Sequence, residues 1–229
     1  MDDFKRFAVY WAPAPGAFAL AAAHWLGWQP ETAIAMVQPV VQGLPRPLGE
    51  LTADPRKYGF HGTMKAPFRL AEGLNRADLS AALARFCAQS APVTLAGLHL
   101  TRIERFLALT PQGDATPLND LAARVVADLD PCRAPLTAAE IARRRPETLT
   151  PHQRDLLARF GYPYVLDHFQ FHLTLSGPLT DAEAVALRPH AEVFFQPLLP
   201  RPFHVDSLCL FGEAVSGQFH LLERHALTG

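Results

Sequence analysis

The alternation of apolar and polar residues near the start of the chain predicts one strand and one helix. Arg6–Trp11 alternates with a period of two and is followed by Pro13 and Pro15, a pattern typical of a strand that proline ends. The Ala-rich segment Ala17–Leu26 predicts a helix, because Gly27 supplies the usual C-terminal stop. We therefore expect a strand followed directly by a helix.

The rest of the chain contains the order strand, helix, hairpin twice. The predicted elements of the first copy are a strand over 58–70, a helix capped by Asn75, and a hairpin over 93–101 and 105–109. Those of the second copy are a motif-bearing strand, a helix opened by the capping box at 180–183, and a hairpin over 203–211 and 218–222. Three helical patterns that start near residues 116, 137 and 150 lie between the copies.

Both copies carry the motif Phe-His-x-Thr-x-x-x-Pro, once with His61 and Thr63 and once with His172 and Thr174. Residues two positions apart in a strand face the same side, so each His shares a face with its Thr. A half-repeat that folds twice about a pseudo-twofold axis brings both pairs to one cleft. The pattern predicts an α+β fold with two pseudo-symmetric lobes, each with an antiparallel sheet and helices, around a central cleft.

The repeat also predicts how the chain is divided. We expect one two-lobed domain over 1–229, with a first lobe over 1–112, a helical crossover over 113–166 and a second lobe over 167–229. A hydrophobic content of 49% with 19% charged residues is that of a globular protein with a sizeable core.

Charge and composition limit the classes of molecule that the protein is expected to bind. A net charge of −1 argues against a surface for long nucleic acid, which is gripped by many Lys and Arg contacts, and favours a small phosphorylated substrate. The N-terminal segment lacks a signal-peptide layout, and no apolar run has the ~20 residues of a membrane span, so we expect no membrane contact and a cytoplasmic location. Cys87, Cys132 and Cys209 are widely spaced and predict reduced structural thiols. The sequence leaves the oligomeric state open.

The two histidines are the candidate catalytic residues. Imidazole titrates near pH 6.5, so of two histidines beside one phosphorus, one can take a proton from water while the other gives one to the leaving oxygen. The hydroxyls of Thr63 and Thr174 are expected to donate hydrogen bonds to the phosphate oxygens. This chemistry needs neither metal nor cofactor, and none is expected.

The residues two positions further along each motif differ. Lys65 and Ser176 extend the faces that carry His61 and His172, and both are expected to bind phosphate, with Lys65 adding a charge on one side only. A cation beside His61 disfavours a second positive charge there. His61 is therefore expected to be the neutral base and His172 the protonated acid, although burial can reverse the order.

Several other residues are weaker candidates. Tyr58, Tyr10 and His168 are expected at the rim of the cleft, where tyrosines can stack on a base or sugar and where His168 lies in solvent. The same roles are open to Tyr162 and Tyr164, although core packing is the commoner one. The arginines at 143–145 have the geometry to bind a terminal phosphate, but a charge run on a helix is usually a solvated face.

The paired His-x-Thr motifs in two pseudo-symmetric halves resemble the 2H phosphoesterase superfamily, which includes cyclic nucleotide phosphodiesterases and RNA 2′,5′-ligase-like proteins. A closer resemblance, over essentially the whole chain, is to the DUF1045 branch, whose usual label connects it with phosphonate metabolism. The segments that carry it are RFAVYWAP (6–13), YGFHGTMKAPF (58–68), GYPY (161–164) and FQFHLTLSG (169–177). The resemblance implies metal-independent cleavage of a small cyclic or linear phosphodiester, with His61, Thr63, His172 and Thr174 as the site. The family label further implies a ribose cyclic phosphate as substrate.

Two other functions stay open on the sequence. A metal-dependent hydrolase is compatible with ten histidines, although no H-x-H, H-E-x-x-H or D-x-H cluster is present. A protein that binds a nucleotide or an RNA end without turnover is compatible with the same cleft. Two intact histidines argue against it, because binding alone needs no matched acid and base.

Overall fold

The computed structural model describes residues 4–229. Residues 1–3 lie outside this range, and they belong to the N-terminal segment that lacks a signal-peptide layout. The elements up to residue 112 are β1 (Arg6–Trp11), α1 (Ala17–Leu26), β2 (Trp28–Gln29), β3 (Ile34–Ala35), α2 (Leu48–Leu51), α3 (Ala53–Arg56), β4 (Gly62–Phe68), α4 (Arg76–Ala88), β5 (Val93–Leu95), β6 (Gly97–Ile103) and β7 (Phe106–Gln112). They are followed by α5 (Thr116–Asp128), α6 (Ala138–Arg143), α7 (Pro151–Phe160), β8 (Leu173–Thr174), α8 (Asp181–Phe195), β9 (Phe203–Val205), β10 (Ser207–Glu213) and β11 (Phe219–Ala226).

Local sequence signals set most of these boundaries. β1 and α1 have the predicted bounds, and Gly27 ends α1 in the left-handed conformation. Reciprocal capping boxes start α4, α6, α7 and α8, each with the N-cap side chain bonded to the N3 amide and the N3 side chain bonded back. The first motif strand, Gly62–Phe68, is shorter than the predicted 58–70, because a turn with Gly59 at φ 73° occupies the residues before it.

The main sheet has seven strands in the order β11-β10-β1-β4-β8-β7-β6, and every neighbouring pair is antiparallel. The two motif strands, β4 and β8, meet at its centre, where Gly62 pairs with Leu173. The predicted α+β class with antiparallel strands is confirmed. The two halves, β11-β10-β1-β4 and β8-β7-β6, are continuous in one sheet through this central pair.

The division of the chain is not the predicted one. The hairpin β6–β7, assigned to the first lobe over 1–112, pairs with β8, and the hairpin β10–β11, assigned to the second lobe over 167–229, pairs with β1. Helix α4 packs against β10 and β11, and α8 packs against β6 and β7. The two halves of the repeat therefore exchange their hairpins, so neither lobe is a continuous stretch of sequence.

The two faces of the sheet differ in what covers them. Alternate residues of β1, among them Phe7 and Val9, face the main hydrophobic core, which the helices cover. Ala8 and Tyr10 face the opposite side and form a smaller cluster with residues of β10 and β11. The second face is less completely covered, and a cleft lies there beside β4 and β8.

Two expectations about the whole chain can be compared with the structure. Across residues 4–229, no helix combines the length and the apolar composition that crossing a membrane requires. Cys87, Cys132 and Cys209 are buried and free of disulfides, as predicted. Burial raises the pKa of Cys87 to about 12, so this thiol is unreactive at neutral pH.

Candidate active site

A cleft with a volume of about 510 Å³ contains both His-x-Thr motifs. This size is typical of a site for a small molecule. Its walls come from both halves of the sheet, from α3 and from the segment around α6. The lining residues used below are Arg6, Tyr10, Asp54, Tyr58, His61, Thr63, Phe106, Glu140, Arg143, Arg144, Tyr162, His172, Thr174 and Ser176.

The central strand pair brings the motifs together. Because Gly62 pairs with Leu173 in an antiparallel register, His61 lies opposite Thr174 and diagonally across from His172. Diagonal neighbours of this kind are about 7–8 Å apart, a separation that one phosphate group can bridge. All four predicted His and Thr side chains line the one cleft, as the repeat predicts.

Both imidazoles are held in the same way. The Nδ1 atom of His61 lies 2.9 Å from the carbonyl oxygen of Gly59, and the Nδ1 atom of His172 lies 2.8 Å from that of Gln170. A carbonyl oxygen only accepts, so Nδ1 carries the proton in each neutral ring and Nε2 is the basic atom. The Thr63 hydroxyl lies 3.2 Å from the Nε2 atom of His61 and donates to it.

The electrostatics of the two histidines differ. Burial lowers the pKa of His61 to about 4; the bond to the Gly59 carbonyl opposes this shift, and the nearby His172 adds to it. Burial also lowers the pKa of His172, by a smaller amount. The influence of one ring on the other is consistent with two imidazoles that lie close together. Both rings are neutral at pH 7 in the unliganded protein.

Gly62 is what allows the two strands to approach. A Cβ atom at this position would lie within 2.3 Å of the Phe171 ring, which is buried against the first motif. No side chain fits there unless that ring moves. The difference between Gly62 and its counterpart Leu173 therefore has a packing reason: one of the two crossing motifs must lack a side chain.

The rings around the two histidines are not equivalent. Tyr10 stacks on His61 with ring centres 3.9 Å apart and planes inclined by 26°, and Tyr58 lies 5.8 Å away. His172 instead has Phe106 at 5.5 Å. Both predicted tyrosines thus line the cleft. Phe106 was not predicted, because nothing in the sequence indicates that the exchanged hairpin reaches the second motif.

Lys65 is not placed as predicted. The pairing of Tyr10 with Thr63 and of Val9 with Lys65 leaves Met64 as an extra residue, and this bulge breaks the alternation along β4. The Lys65 ammonium is buried outside the cleft lining, 3.0 Å from Asp130 and 2.9 Å from the Val126 carbonyl. It holds β4 to α5 and the turn after it, and it is unavailable to a phosphate beside His61.

Two further candidates also differ from expectation. Ser176 lines the cleft, but its hydroxyl donates to the Gly177 carbonyl and accepts from the Leu107 amide, so the backbone already uses it. His168 lies outside the residues that line the cleft, and its ring is 5.3 Å from that of His152. The expected rim position of His168 is therefore wrong.

One group of side chains within residues 4–229 has the spacing of a metal site. His152, Asp167 and His168 each offer a ligand atom, and these atoms lie within 4.8 Å of one another. The group is on the surface at α7, where the His152 imidazole bonds to the Asp167 carboxylate at 2.9 Å. None of the three residues lines the cleft, so a metal held there would not contact a phosphate between His61 and His172.

Several residues that line the cleft were not predicted from the sequence. Asp54 belongs to α3, in the stretch before β4, and no local pattern in the sequence predicts its position in the cleft wall. Arg6 precedes the apolar part of β1 and binds Glu213 at 2.5 and 2.9 Å. Glu140 and Leu136 come from the crossover. These residues follow from tertiary packing and have no local motif.

The fold and site define a protein with two facing His-x-Thr half-sites on adjacent antiparallel strands. Residues 63–220 match the family model described as "Protein of unknown function (DUF1045)". The chain belongs to this family, as the resemblance of its motifs predicts.

Known proteins provide two further comparisons. The chain is 37% identical over 222 residues to "Ribose 1,5-bisphosphate phosphokinase PhnN" of Janthinobacterium sp. (strain Marseille), covering 94% of this chain and 49% of that protein. It is 30% identical over 220 residues to the protein of the same name in Laribacter hongkongensis (strain HLHK9), with coverages of 93% and 49%. The chain thus spans about half the length of the curated relatives it matches.

Solved structures give weaker similarity. One described as a phosphoesterase aligns over 98% of this chain and 99% of its own, with a TM-score of 0.45 and 16% identity. These values are too low to transfer a function.

Proposed function

We propose that the protein is a metal-independent phosphodiesterase that cleaves a small cyclic or linear phosphodiester by acid-base catalysis from two histidines. The observation that carries this proposal is the pair of imidazoles in one cleft, each with Nδ1 anchored on the carbonyl two residues before it. With the proton on Nδ1, the Nε2 atom of each ring is the one that can accept or donate a proton during the reaction. A site that only binds phosphate needs donors and has no use for two poised bases.

His61 is the proposed general base. Its lowered pKa keeps it neutral at the pH at which it must accept a proton, and its Nε2 atom takes that proton from the attacking water. As the water oxygen bonds to phosphorus, the bond from phosphorus to the leaving oxygen breaks. His61 is proposed as the base here, as it was from the sequence, but the physical reason is different. Burial and His172 disfavour the charged form, and the displaced Lys65 does not contribute.

His172 is the proposed general acid. Its pKa is lowered less than that of His61, and a bound phosphate raises the pKa of both rings, so His172 is the first to be protonated in the complex. Its Nε2 proton passes to the leaving oxygen. Hydrolysis of a linear diester in this way yields a phosphate monoester and an alcohol, whereas a cyclic diester opens to one product that carries both the monoester and the new hydroxyl. Proton exchange with water then returns both rings to their starting states.

The threonines are proposed to hold the phosphate. The Thr63 hydroxyl, which donates to His61 in the unliganded protein, turns to a non-bridging oxygen, and Thr174 acts on the other side. Removing such a donor typically costs about 10²–10³ in rate. Tyr10 limits the water around His61 by stacking on it.

A ribose cyclic phosphate is the proposed substrate to test first. The proposal is supported by the names of the two relatives, which refer to a ribose bisphosphate, and it agrees with the link to phosphonate metabolism that the motif resemblance implies. Cleavage of a cyclic ribose phosphate would give a ribose phosphate monoester, the class of compound in those names. We propose that the protein acts in the cytoplasm on such a metabolite.

The proposal is tested with a panel of ribose cyclic phosphates, 2′,3′-cyclic nucleotides and linear diesters, scored for both binding and turnover. We expect turnover of at least one small cyclic phosphate, loss of at least about 10³-fold in a His61→Ala, His172→Ala double variant, and full activity in His190→Ala, which changes an exposed helix residue. Tight binding without turnover across the panel would favour a binding protein. Full activity in the double variant would refute the assignment of the site.

A further inference from the structure

The charged side chains that line the cleft differ in whether they are neutralised. Arg6 is paired with Glu213, Asp54 with Lys57, and Glu140 with Arg69. These pairs leave little net charge on the walls they occupy. Two further lining residues, Arg143 and Arg144, differ from these because no carboxylate within residues 4–229 forms an ion pair with them.

Neither Arg143 nor Arg144 has a carboxylate partner within the part of the chain that the structure describes. Glu140 lies on the same helix, but both of its oxygens bind Arg69, at 3.1 and 3.0 Å, and these bonds lower its pKa to about 2. Its charge is therefore engaged by a guanidinium that does not line the cleft. One wall of the cleft thus carries two positive charges without a counter-charge.

Packing orients one of these guanidinium groups. Arg144 is half-buried and lies 4.9 Å over the ring of Tyr162, which also lines the cleft. A planar guanidinium that stacks on a ring keeps its N–H donors free at its edge, where they can meet two phosphate oxygens at once. The stacked arginine is therefore held ready for an anion, unlike a fully mobile surface side chain.

Aromatic rings in the wall of the cleft lie beside one of the reacting histidines and beside one of the arginines. Tyr10 stacks on His61, and Tyr162 lies beneath Arg144. Burial raises the pKa of Tyr10, and the neighbouring Tyr162 adds to that rise. The histidines and the arginines line the same cleft but belong to different elements, so a ligand with one phosphate at the histidines needs a second anionic group to meet the arginines.

The position of the arginines at a helix end does not account for this arrangement. Cations are favoured at the C-terminal end of any helix, and α6 ends at Arg143. Arg145 satisfies that preference equally well, yet it does not line the cleft. What separates Arg143 and Arg144 from Arg145 is their place in the wall of the candidate active site.

We propose that Arg143 and Arg144 form a second anion subsite, which binds a phosphate monoester carried by the same small substrate whose diester lies between His61 and His172. The proposal rests on the proposed function for the identity of the first site. A cleft of about 510 Å³ has room for a phosphorylated sugar with a second phosphate. The subsite thus selects bisphosphorylated small molecules over singly phosphorylated ones.

Calorimetry with two probes tests the subsite, namely ribose 2,3-cyclic phosphate and the same compound with a 5-phosphate. We expect the 5-phosphate to improve binding by about 10- to 100-fold, the range of a charge-assisted hydrogen-bonded contact. Arg144→Gln should remove most of this advantage. Arg144→Lys should keep part of it, because the charge remains but the planar fork is lost. Arg145→Gln, the matched control from the same turn, should keep all of it.

The outcome is independent of whether the histidines act catalytically. Binding is also measured in the His61→Ala, His172→Ala double variant, in which the advantage of the 5-phosphate should persist. If no diester is turned over but that advantage is present and depends on Arg144, the proposed function fails and the subsite stands. Equal affinity for the two probes, an advantage unchanged in Arg144→Gln, an equal loss in Arg145→Gln, or no binding of either probe would each overturn the subsite.

Discussion

The lowered pKa of His61 makes the stability of the protein depend on pH between the pKa values of the folded and unfolded states. The folded protein protonates His61 near pH 4, whereas the unfolded chain protonates it near pH 6.5. Between these values the unfolded state binds more protons. The free energy of unfolding therefore rises with pH across the window. The contribution of His61 is fully present above pH 6.5 and is lost as the pH falls towards 4.

The size of the effect follows from the two pKa values. A single group with this shift contributes about 2 kcal/mol less stability at pH 5 than at pH 7, and about 3 kcal/mol less once the pH is below 4. Glu140 and Glu183 have pKa values of about 2, and their contributions are common to any pair of His61 variants. They therefore cancel when two such proteins are compared at the same pH.

Urea unfolding of the wild type and of His61→Gln at pH 7 and pH 5 measures this contribution. We expect the wild type to lose about 2 kcal/mol more than the variant between the two pH values, because the glutamine side chain does not titrate. The exposed His190→Gln is the control and should behave as the wild type. Equal losses in the wild type and His61→Gln would refute the burial of a neutral imidazole at the base of the cleft.

Three other variants or conditions give clear expectations. Gly62→Ala should destabilise the protein by about 1–3 kcal/mol and reduce turnover, because its methyl group meets the Phe171 ring. Gly16→Ala, with nothing nearer than 3.9 Å, should do neither in the same unfolding and activity assays. Lys65→Met should lower stability by about 1–3 kcal/mol but leave KM within about twofold, and a large rise in KM would return Lys65 to the phosphate site. Turnover should survive EDTA, and loss that zinc restores would favour a metal-dependent mechanism.

The parts of the fold that sequence predicts well depend on local chemistry. The capping boxes at Thr137, Thr150 and Thr180 placed three helix starts, and the alternation along β1 gave both of its ends. The repeat of His-x-Thr gave the four side chains that share the cleft. Each of these signals involves residues a few positions apart, so neighbours in the sequence are sufficient to reveal it.

The parts that sequence did not predict depend on distant contacts. The bulge at Met64 arises in the pairing of β4 with β1, and it turns Lys65 away from the face on which simple alternation places it. The exchange of hairpins decides that Phe106 stands beside His172, although it belongs to the first half of the chain. Likewise, the carbonyls that anchor the imidazoles belong to the backbone and leave no trace in residue identity.

The pH dependence of kcat/KM in the wild type and in single histidine variants is the most direct test of the two-histidine mechanism. We expect a bell-shaped wild-type profile that rises near pH 4, where His61 loses its proton, and falls below pH 6.5, where free His172 loses its own. The residual activity of His61→Ala should lack the acidic limb, and that of His172→Ala the basic limb. A wild-type profile that is flat from about pH 4 to 7, or a bell that either variant retains, would contradict the division of acid and base between these two residues.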